Sequence, residues 1–320
     1  MLERARNLTL TPRQYFYVAL VALASLSAIV LTGAAVRLTG SGLGCPDWPK
    51  CYGNELPPLD SHALIEYGNR IFTGFVGVAV IAASLLAWRR RPFRWHLALF
   101  GALLPLGVIG QAVLGGLVVK HHLAPGLVMG HFILSMLLLD AGFALAWCSR
   151  YEPGERRRSS DRIGVWAVRG LIPFGQLTVL LGTMTTASGP HAGAHEGQLV
   201  QRFDFKGADT LSWMVQRHAA IAAAFGLAAV AVFLLLSREG GESRARRPVA
   251  LVIALLAAQG AVGITQWELK LPAELVWVHV ALATATWLAV LWSVGAAGRL
   301  APAPATAAAR ERVGPARAAS

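Results

Sequence analysis

Charged residues are scarce in this sequence. They make up 14% of its 320 residues, whereas hydrophobic residues make up 55%. In soluble domains, charged residues make up roughly a quarter of the total. The scarcity of charge therefore argues against a soluble domain and favours a polytopic membrane protein.

Several sequence motifs are missing as well. There is no Walker loop, no dinucleotide-binding fingerprint and no nucleophile elbow. The strict alternation of a membrane barrel is also absent, which leaves helices as the way to satisfy the backbone in lipid. The N-terminus leads into a full-length span without a small-residue cleavage site, so we expect no removed signal peptide.

The sequence predicts an all-α fold with eight transmembrane helices. A span needs about 20 mostly apolar residues, and eight stretches meet that requirement. They are residues 15–36, 71–88, 97–119, 127–147, 164–186, 219–237, 249–267 and 275–297.

The basic residues indicate how these helices are oriented. Of 29 Lys and Arg residues, twenty lie in the segments on the N-terminal side of the membrane, eight lie in the opposite loops, and Arg169 lies at an inner helix end. By the positive-inside rule, both termini are cytoplasmic. Because the charges flank spans instead of clustering in one domain, the net charge of +12 does not indicate nucleic-acid binding.

The chain has the pattern of an internal repeat. Similar residues recur at an offset of 148 or 149: Gly33 and Gly182, Gln111 and Gln259, and His131 and His279. A nearly constant offset predicts two parallel, pseudo-symmetric four-helix halves. The predicted parts are an N-terminal half (1–149), a cytoplasmic linker (150–163), a C-terminal half (164–298) and a basic, disordered cytoplasmic tail (299–320).

Two histidines near the outer ends of predicted helices point to a cofactor. Ionisable groups within a membrane span are costly and are usually functional. His218 opens the sixth predicted span and His279 lies a few residues into the eighth, so both have a similar depth on parallel helices. Inward-facing imidazoles on facing helices are how a bundle ligates a haem iron axially. The alternative is a pair of histidines satisfied by interhelical hydrogen bonds.

The first half lacks the same pair. The repeat aligns Asn69 with His218, so an iron held by His131 would keep an open or water-filled position. Open coordination is what chemistry at a haem requires, while a closed bis-histidine site suits electron transfer. Glu66, one helical turn from Asn69, is a candidate base or proton acceptor. The alternative is an acid that pairs with Arg70 or with the helix dipole.

The cysteines fall in two places. Cys45 and Cys51 lie in "LTGSGLGCPDWPKCYG", a loop predicted to face outward, where disulfides persist. Two roles remain open for this pair, a structural crosslink or a redox-active dithiol. Cys148, at an inner helix end, is expected to be an inert packing residue or a reduced thiol.

Other polar residues lie near the same outer ends. Three arginines are candidates for binding haem propionates or for interfacial snorkelling: Arg37, Arg70 and Arg217. His62 is expected to be an ordinary loop residue; the alternative is a substitute ligand on the same face as Glu66, if that helix extends outward. His191 and His195 are four residues apart, but the glycine and proline around them argue against a metal-binding helix and leave a loop over the outer site.

Taken in order, these motifs resemble the haem A synthases, the cytochrome oxidase assembly proteins of bacteria and mitochondria. "TGSGLGCPDWPKC" is similar to the first outer loop of that family, and "IEYGNR" occupies its Glu-X-X-His-Arg position. "HFILSM", "QRHAAIA" and "VHVALA" occupy the positions of its histidines in helices 4, 6 and 8. The resemblance extends over nearly the whole chain. It departs at Asn69, where the commoner pattern has His, and at Arg217, which precedes its histidine instead of following it.

The resemblance implies a function and a set of site residues. The reaction is oxidation of the C8 methyl group of haem O to a formyl group by successive hydroxylations, which yields haem A. The implied residues are His218 and His279 for the iron of a haem b cofactor, and Glu66 (catalytic), Asn69, Arg70 and His131 for the substrate haem O.

It also implies a disulfide between Cys45 and Cys51, with a role in haem transfer. The expected partners are haem O and haem A, a haem O synthase, a quinone or other electron acceptor, and the lipid bilayer of the bacterial plasma membrane. A homo-oligomer is left open.

Three other functions remain to be weighed. A cytochrome b-like electron carrier would need closed ligation in both halves, which Asn69 argues against. A quinone-linked thiol oxidoreductase acting through Cys45 and Cys51 would need no intramembrane histidine pair. A transporter is compatible with a parallel repeat but does not require histidines near the outer helix ends.

Overall fold

The computed structural model describes residues 9–153, 155, 159, 161–195, 197–198, 200–238 and 244–298. Within these residues the regular elements are helices, so the all-α prediction is confirmed. They are α1 (Pro12–Leu38), α2 (Ser61–Ala87), α3 (Trp95–Lys120), α4 (Pro125–Arg150), α5 (Arg162–Arg169), α6 (Leu171–Ser188), α7 (Thr210–Arg238), α8 (Arg246–Glu268) and α9 (Ala273–Ala297), with a 3₁₀ turn at Gly207–Asp209.

Eight helical segments in the described part of the chain are long and apolar enough to cross a membrane, as predicted. The fifth of them combines α5 and α6, which meet at Gly170. Two helices begin nine or ten residues earlier than the sequence predicted: α2 at Ser61 instead of residue 71, and α7 at Thr210 instead of residue 219. Polar residues in the first turns of both helices had lowered the local hydropathy, but they are accommodated inside the helices.

The starts of three helices follow from local chemistry. Thr11 caps α1 in a reciprocal capping box with Gln14, and a proline follows at the first helical position. Asp60 caps α2 by accepting a hydrogen bond from the Ala63 amide at 3.0 Å. Asp161 caps α5 by accepting from the Gly164 amide at 2.6 Å. These caps satisfy amides that have no partner within the helix.

The helices pack as two groups. In the first bundle (α1–α4), each helix contacts the next and α4 closes back on α1. In the second bundle (α6–α9), the same pattern holds and α9 contacts α6. The groups meet where α9 packs against α1 and α4, and where α4 packs against α6. This packing is compatible with the predicted four-helix halves, whose pseudo-symmetry remains a prediction.

One polar contact joins the two bundles within the apolar interior. The Trp287 indole of α9 donates a hydrogen bond to Asp140 Oδ1 of α4 over 2.7 Å. Further along the same pair of helices, the Trp147 ring packs on Gly295, where a Cβ atom would lie 2.7 Å from the indole. The helices that carry His131 and His279 are therefore held against each other at two levels.

Opposite the disulfide loop, the molecule has a cluster of charged groups. Arg90 is fully buried and pairs with Glu152, and Arg94 donates to the carbonyls of Cys148 and Tyr151, both at 2.8 Å. Five of the fourteen residues of the predicted linker (150–163) and the whole of the predicted basic tail (299–320) lie outside the described residues. Below, "loop end" denotes the end of the molecule that carries residues 39–60.

Candidate functional site

The second bundle brings the two predicted iron ligands together. The ring centroids of His218 on α7 and His279 on α9 lie 6.2 Å apart, with an angle of 66° between the ring planes. The two helices face each other across the bundle, because each is flanked by α6 and α8. The prediction that His218 opens its helix is wrong, because α7 begins eight residues earlier, at Thr210.

A neighbouring helix holds the same nitrogen of each ring. His218 Nδ1 donates to the Thr178 carbonyl of α6 at 3.1 Å. His279 Nδ1 lies 2.9 Å from the side-chain amide of Gln259 on α8. The orientation of that amide which satisfies all its neighbours places its nitrogen toward His279 and its oxygen toward the Ala283 amide, 2.8 Å away. His218 Nε2 is thereby left for another ligand, and His279 Nε2 becomes available when the Gln259 amide presents its oxygen to Nδ1.

The spacing of the rings suits one iron between them. A metal–imidazole bond is about 2 Å long, so two imidazoles on opposite sides of one ion have centres roughly 6 Å apart. No group of three or more His, Cys, Asp or Glu side chains comes together in the described part of the chain. Two imidazoles without a third ligand fit a metal that brings its own equatorial ligands, as the iron of a haem does.

Glycines make room beside these rings. A Cβ atom at Gly182 of α6 would lie 3.1 Å from His218 Cε1, and one at Gly263 of α8 would lie 3.6 Å from His279 Cε1. A larger residue at Gly182 would therefore press on the imidazole. The close approach of the helix backbones to the rings fits a site built to hold these two side chains in place.

The first bundle holds a single histidine in the corresponding place. His131 of α4 lies beside Gly115 of α3, where a Cβ atom would be 3.4 Å from its Cε1. Its buried Nδ1 has no hydrogen-bond partner among the described residues. The amide nitrogen of Gln111 instead donates to the His131 carbonyl at 3.1 Å and to Ser135 Oγ at 2.6 Å.

Asn69 leaves space on the other side of that bundle. Its buried Oδ1 has no hydrogen-bond partner within the described residues. A Cβ atom at Gly33, the residue that the repeat aligns with Gly182, would meet nothing within 4 Å. The first bundle therefore has unpaired polar atoms and free space where the second bundle has a packed histidine.

Glu66 connects α2 to the loop before it. The carboxylate is 6% exposed; its Oε1 accepts from Arg70 at 2.5 Å and its Oε2 accepts from the Cys45 amide at 2.7 Å. The pairing with Arg70 that was one alternative in the sequence is therefore present. The Arg70 guanidinium also donates, over 3.0–3.4 Å, to four loop carbonyls: those of Cys45, Asp47, Pro49 and Lys50.

The loop itself is closed by a disulfide between Cys45 and Cys51, both fully buried. Asp47 accepts from the amides of Gly53 and Tyr52, each at 2.7 Å, and these hydrogen bonds, that of Gly53 above all, lower the pKa of its carboxyl. The Trp48 ring lies against Gly116, the residue next to Gly115 on α3. The crosslinked loop thus places an indole against the helix that packs beside His131.

A loop from the second bundle crosses to the first. The Gly42 amide donates to the Gly193 carbonyl at 2.7 Å, and the rings of His62 and His195 stack with centroids 4.9 Å apart. His62 was expected in a loop but lies in the first turn of α2. Its Nδ1 is 3.1 Å from Ser41 Oγ. We name residues 189–195 the crossing loop; that it covers the outer site remains a prediction.

The three arginines differ in their contacts. The donors of Arg70 face Glu66 and the loop carbonyls described above. The Arg217 guanidinium lies over the Trp213 ring of its own helix, with 4.9 Å to the centroid. The Arg37 side chain lies against Gly193 of the crossing loop. Their predicted role toward haem propionates therefore remains a prediction.

The structure adds polar residues that the sequence analysis did not assign to the site. Gln111 and Gln259 had been noted only as repeat markers, and Thr178 and Ser135 not at all. Asp140 was also missed, although the cost of burying a charge in a membrane, which singled out the histidines, applies to it equally. The partners of the rings depend on how the helices are rotated, which no sequence motif reveals.

Comparison with known proteins gives a family match and several similar proteins. The family model COX15-CtaA, described as cytochrome oxidase assembly protein, matches residues 16–291. A heme A synthase of Lysinibacillus sphaericus is 31% identical over 130 residues, which are 40% of this chain and 42% of that protein. A heme A synthase of Alkalihalophilus pseudofirmus is 32% identical over 138 residues, 42% of this chain and 46% of that protein.

A longer match is to a different protein. A protoheme IX farnesyltransferase of Thermus thermophilus is 29% identical over 277 residues, which are 81% of this chain and 44% of that protein. The chain thus spans less than half the length of the curated relatives that it matches here.

Proposed function

Because the chain belongs to the COX15-CtaA family of cytochrome oxidase assembly proteins, we propose that it is a haem A synthase. Its substrate would be haem O, and its product haem A would supply cytochrome oxidase. Two similar proteins named heme A synthase support this assignment. The rival functions draw no support from these relatives.

The proposal depends most on one observation, the unequal ligation in the two bundles. Two imidazoles face each other in the second bundle, which suits a retained haem b that transfers single electrons. The first bundle offers His131 alone, with free space and an unpaired Asn69 amide oxygen opposite. One closed and one open site are what an enzyme needs if it oxidises one haem and passes electrons on through another.

The overall reaction balances with water as the oxygen donor. Converting the methyl group to a formyl group takes up one water molecule and releases four protons and four electrons. Two quinone molecules, each taking two electrons and two protons, or another acceptor of the same total capacity, would take the electrons. A carboxylate offers about four acceptor sites, more than Glu66 uses in its contacts with Arg70 and Cys45, so that Glu66 can accept a proton released near the site.

We further propose the membrane topology and the supply of substrate. The twenty basic residues on one side favour a bacterial plasma membrane protein with cytoplasmic termini and an extracytoplasmic loop end. The relative named protoheme IX farnesyltransferase suggests the neighbouring step, because a farnesylated haem is the substrate proposed for this chain. A haem O synthase would then be the partner that delivers it.

Purification followed by pigment extraction tests the function. We expect the wild-type protein to retain haem b together with haem O or haem A. The His279→Ala variant should lose haem b, because it removes one axial ligand. The Glu66→Ala variant should keep haem b and stop forming haem A.

Glu55→Ala is the matched control for Glu66. Glu55 lies in the loop that Glu66 contacts, but its side chain is 84% exposed, so its removal should change neither pigment nor product. If Glu66→Ala forms haem A at the wild-type rate, the role assigned to Glu66 is wrong. If the wild-type protein holds no haem even when haem is supplied in excess, the whole proposal is wrong.

A further inference from the structure

The histidines on the last helix of each bundle, His131 and His279, have different hydrogen-bond surroundings. The difference comes from one pair of aligned residues. At an offset of 148, Gln111 aligns with Gln259 and His131 with His279. The same offset aligns Ser135, one turn after His131, with Ala283, one turn after His279. The glutamine and histidine are thus the same in both bundles, while the third member changes from a hydroxyl side chain to a methyl group.

In the first bundle the serine engages the glutamine. Gln111 donates to Ser135 Oγ over 2.6 Å, shorter than its 3.1 Å contact with the His131 carbonyl. Ser135 Oγ in turn donates to that carbonyl at 3.0 Å. As a result, His131 Nδ1 and Gln111 Oε1 are both buried without a partner in the described part of the chain.

In the second bundle, no side chain other than the His279 ring hydrogen-bonds to Gln259 within the described residues. Ala283 offers only its backbone amide, 2.8 Å from the Gln259 side chain. The Gln259 amide therefore reaches His279 Nδ1 at 2.9 Å as well as the His279 carbonyl at 3.2 Å. His218, the opposite ligand, is held through its own Nδ1 by Thr178.

A hydrogen bond to the second ring nitrogen strengthens a metal–imidazole bond. It fixes the orientation and tautomer of the ring, and losing such a partner typically costs 10–100-fold in metal affinity. With iron on Nε2, the ring proton resides on Nδ1. An amide has both a donor and an acceptor end, so with the haem bound Gln259 would turn over, accept from Nδ1 through its oxygen and give up its contact with the Ala283 amide.

We propose that the Ser135/Ala283 difference decides which haem stays and which one leaves. Ala283 lets Gln259 secure His279, which retains the cofactor. Ser135 draws Gln111 away from the His131 ring, which weakens that ligand and lets the substrate haem exchange. Gln259 and Ser135 are positioning residues, since they act through the histidines; this inference rests on the proposed haem-binding function.

Exchanging the two residues tests the proposal without an activity assay. The rate at which each haem passes from the purified protein to excess apomyoglobin is measured by absorbance. Ser135→Ala should slow the loss of the first-bundle haem by about tenfold, and Ala283→Ser should speed the loss of haem b by a similar factor, the lower end of the effect of such a partner. Ser135→Thr, which keeps the hydroxyl group, should exchange like the wild type.

A second readout separates positioning from general loosening of the fold. Gln259→Glu presents a carboxylate to His279 Nδ1, which should make the ligand more basic and lower the midpoint potential of haem b, whereas Gln259→Leu should speed its loss. Unchanged exchange rates in both serine/alanine variants, with haem still bound, would overturn this inference and leave the proposed function standing. A protein that binds no haem would overturn the proposed function itself.

Discussion

At the scale of single residues, Glu66 is unusual because its two oxygens serve different parts of the chain. One oxygen meets Arg70 on the same helix, and the other meets the backbone of the disulfide loop. Arg70 contacts the same loop through its carbonyls. The proposed proton acceptor is therefore also the attachment point of the loop, so its chemistry and the loop position depend on one ion pair.

Replacing Arg70 tests that dependence. Arg70→Gln leaves the buried Glu66 carboxylate without its counter-charge, and breaking a buried pair costs about 3–5 kcal/mol. We expect a lower thermal unfolding midpoint in detergent. The double variant Glu66→Gln with Arg70→Gln removes both charges and should regain much of the loss; if it is less stable than the single variant, the pair does not act as described.

Asp47 supplies a pH dependence at the same scale. Hydrogen bonds from Gly53 and Tyr52 lower its pKa in the folded loop, so the ionised form is the one that the loop stabilises. That contribution is complete above the usual pKa of an aspartate, about 4. It disappears as the pH falls through the lowered value in the folded protein. Near neutral pH, Asp47 thus helps to hold the loop closed.

The accessibility of the disulfide to a phosphine reductant reports on that loop. The wild-type rate of reduction should stay low from pH 7 down to about pH 4. Asp47→Ala should be reduced faster at every pH in this range, because the Gly53 and Tyr52 amides lose their acceptor. Equal rates in the two proteins at pH 7 would show that Asp47 does not hold the loop.

At the scale of helices, α4 and α9 matter most, because they carry His131 and His279 and touch each other. Their contact includes the Trp287–Asp140 hydrogen bond, which lies within the apolar interior. An unsatisfied buried acceptor costs roughly 1–3 kcal/mol. The two bundles are therefore held in register by a bond that neither could satisfy alone.

The variant Trp287→Phe should weaken this contact by that amount. It keeps an aromatic ring but removes the donor, so Asp140 loses its partner. Thermal unfolding followed by the visible absorbance of bound haem measures the effect. Trp166→Phe, at an indole that is 64% exposed, is the control and should leave the midpoint unchanged; equal midpoints in both variants would contradict the assigned role of the bond.

At the scale of the whole molecule, the sequence predicted the membrane-spanning helices. The eight spans follow from hydropathy, because a chain in a bilayer has few other ways to satisfy its backbone. The helix starts at Ser61 and Thr210 were missed, since their first turns carry polar side chains. Some of these, such as His62, find partners elsewhere in the chain.

The candidate site was predictable to the same extent. His218 and His279 stood out because imidazoles are costly in a membrane span, and the structure places their rings together. Their partners Thr178 and Gln259 could not be inferred, because a contact between helices depends on rotation and tilt set by the packing of all the others. Hydropathy determines how many helices there are, but it does not determine which faces meet.

The crossing loop has a consequence for how such a chain can change over generations. By sequence it belongs to the second bundle, but through Gly193 and His195 it lies on the first. A substitution there lies in the sequence of the second half, but it alters the packing of the loop of the first bundle. The two bundles cannot drift independently, and an insertion in this segment would be selected for its effect on its neighbour as much as on its own half.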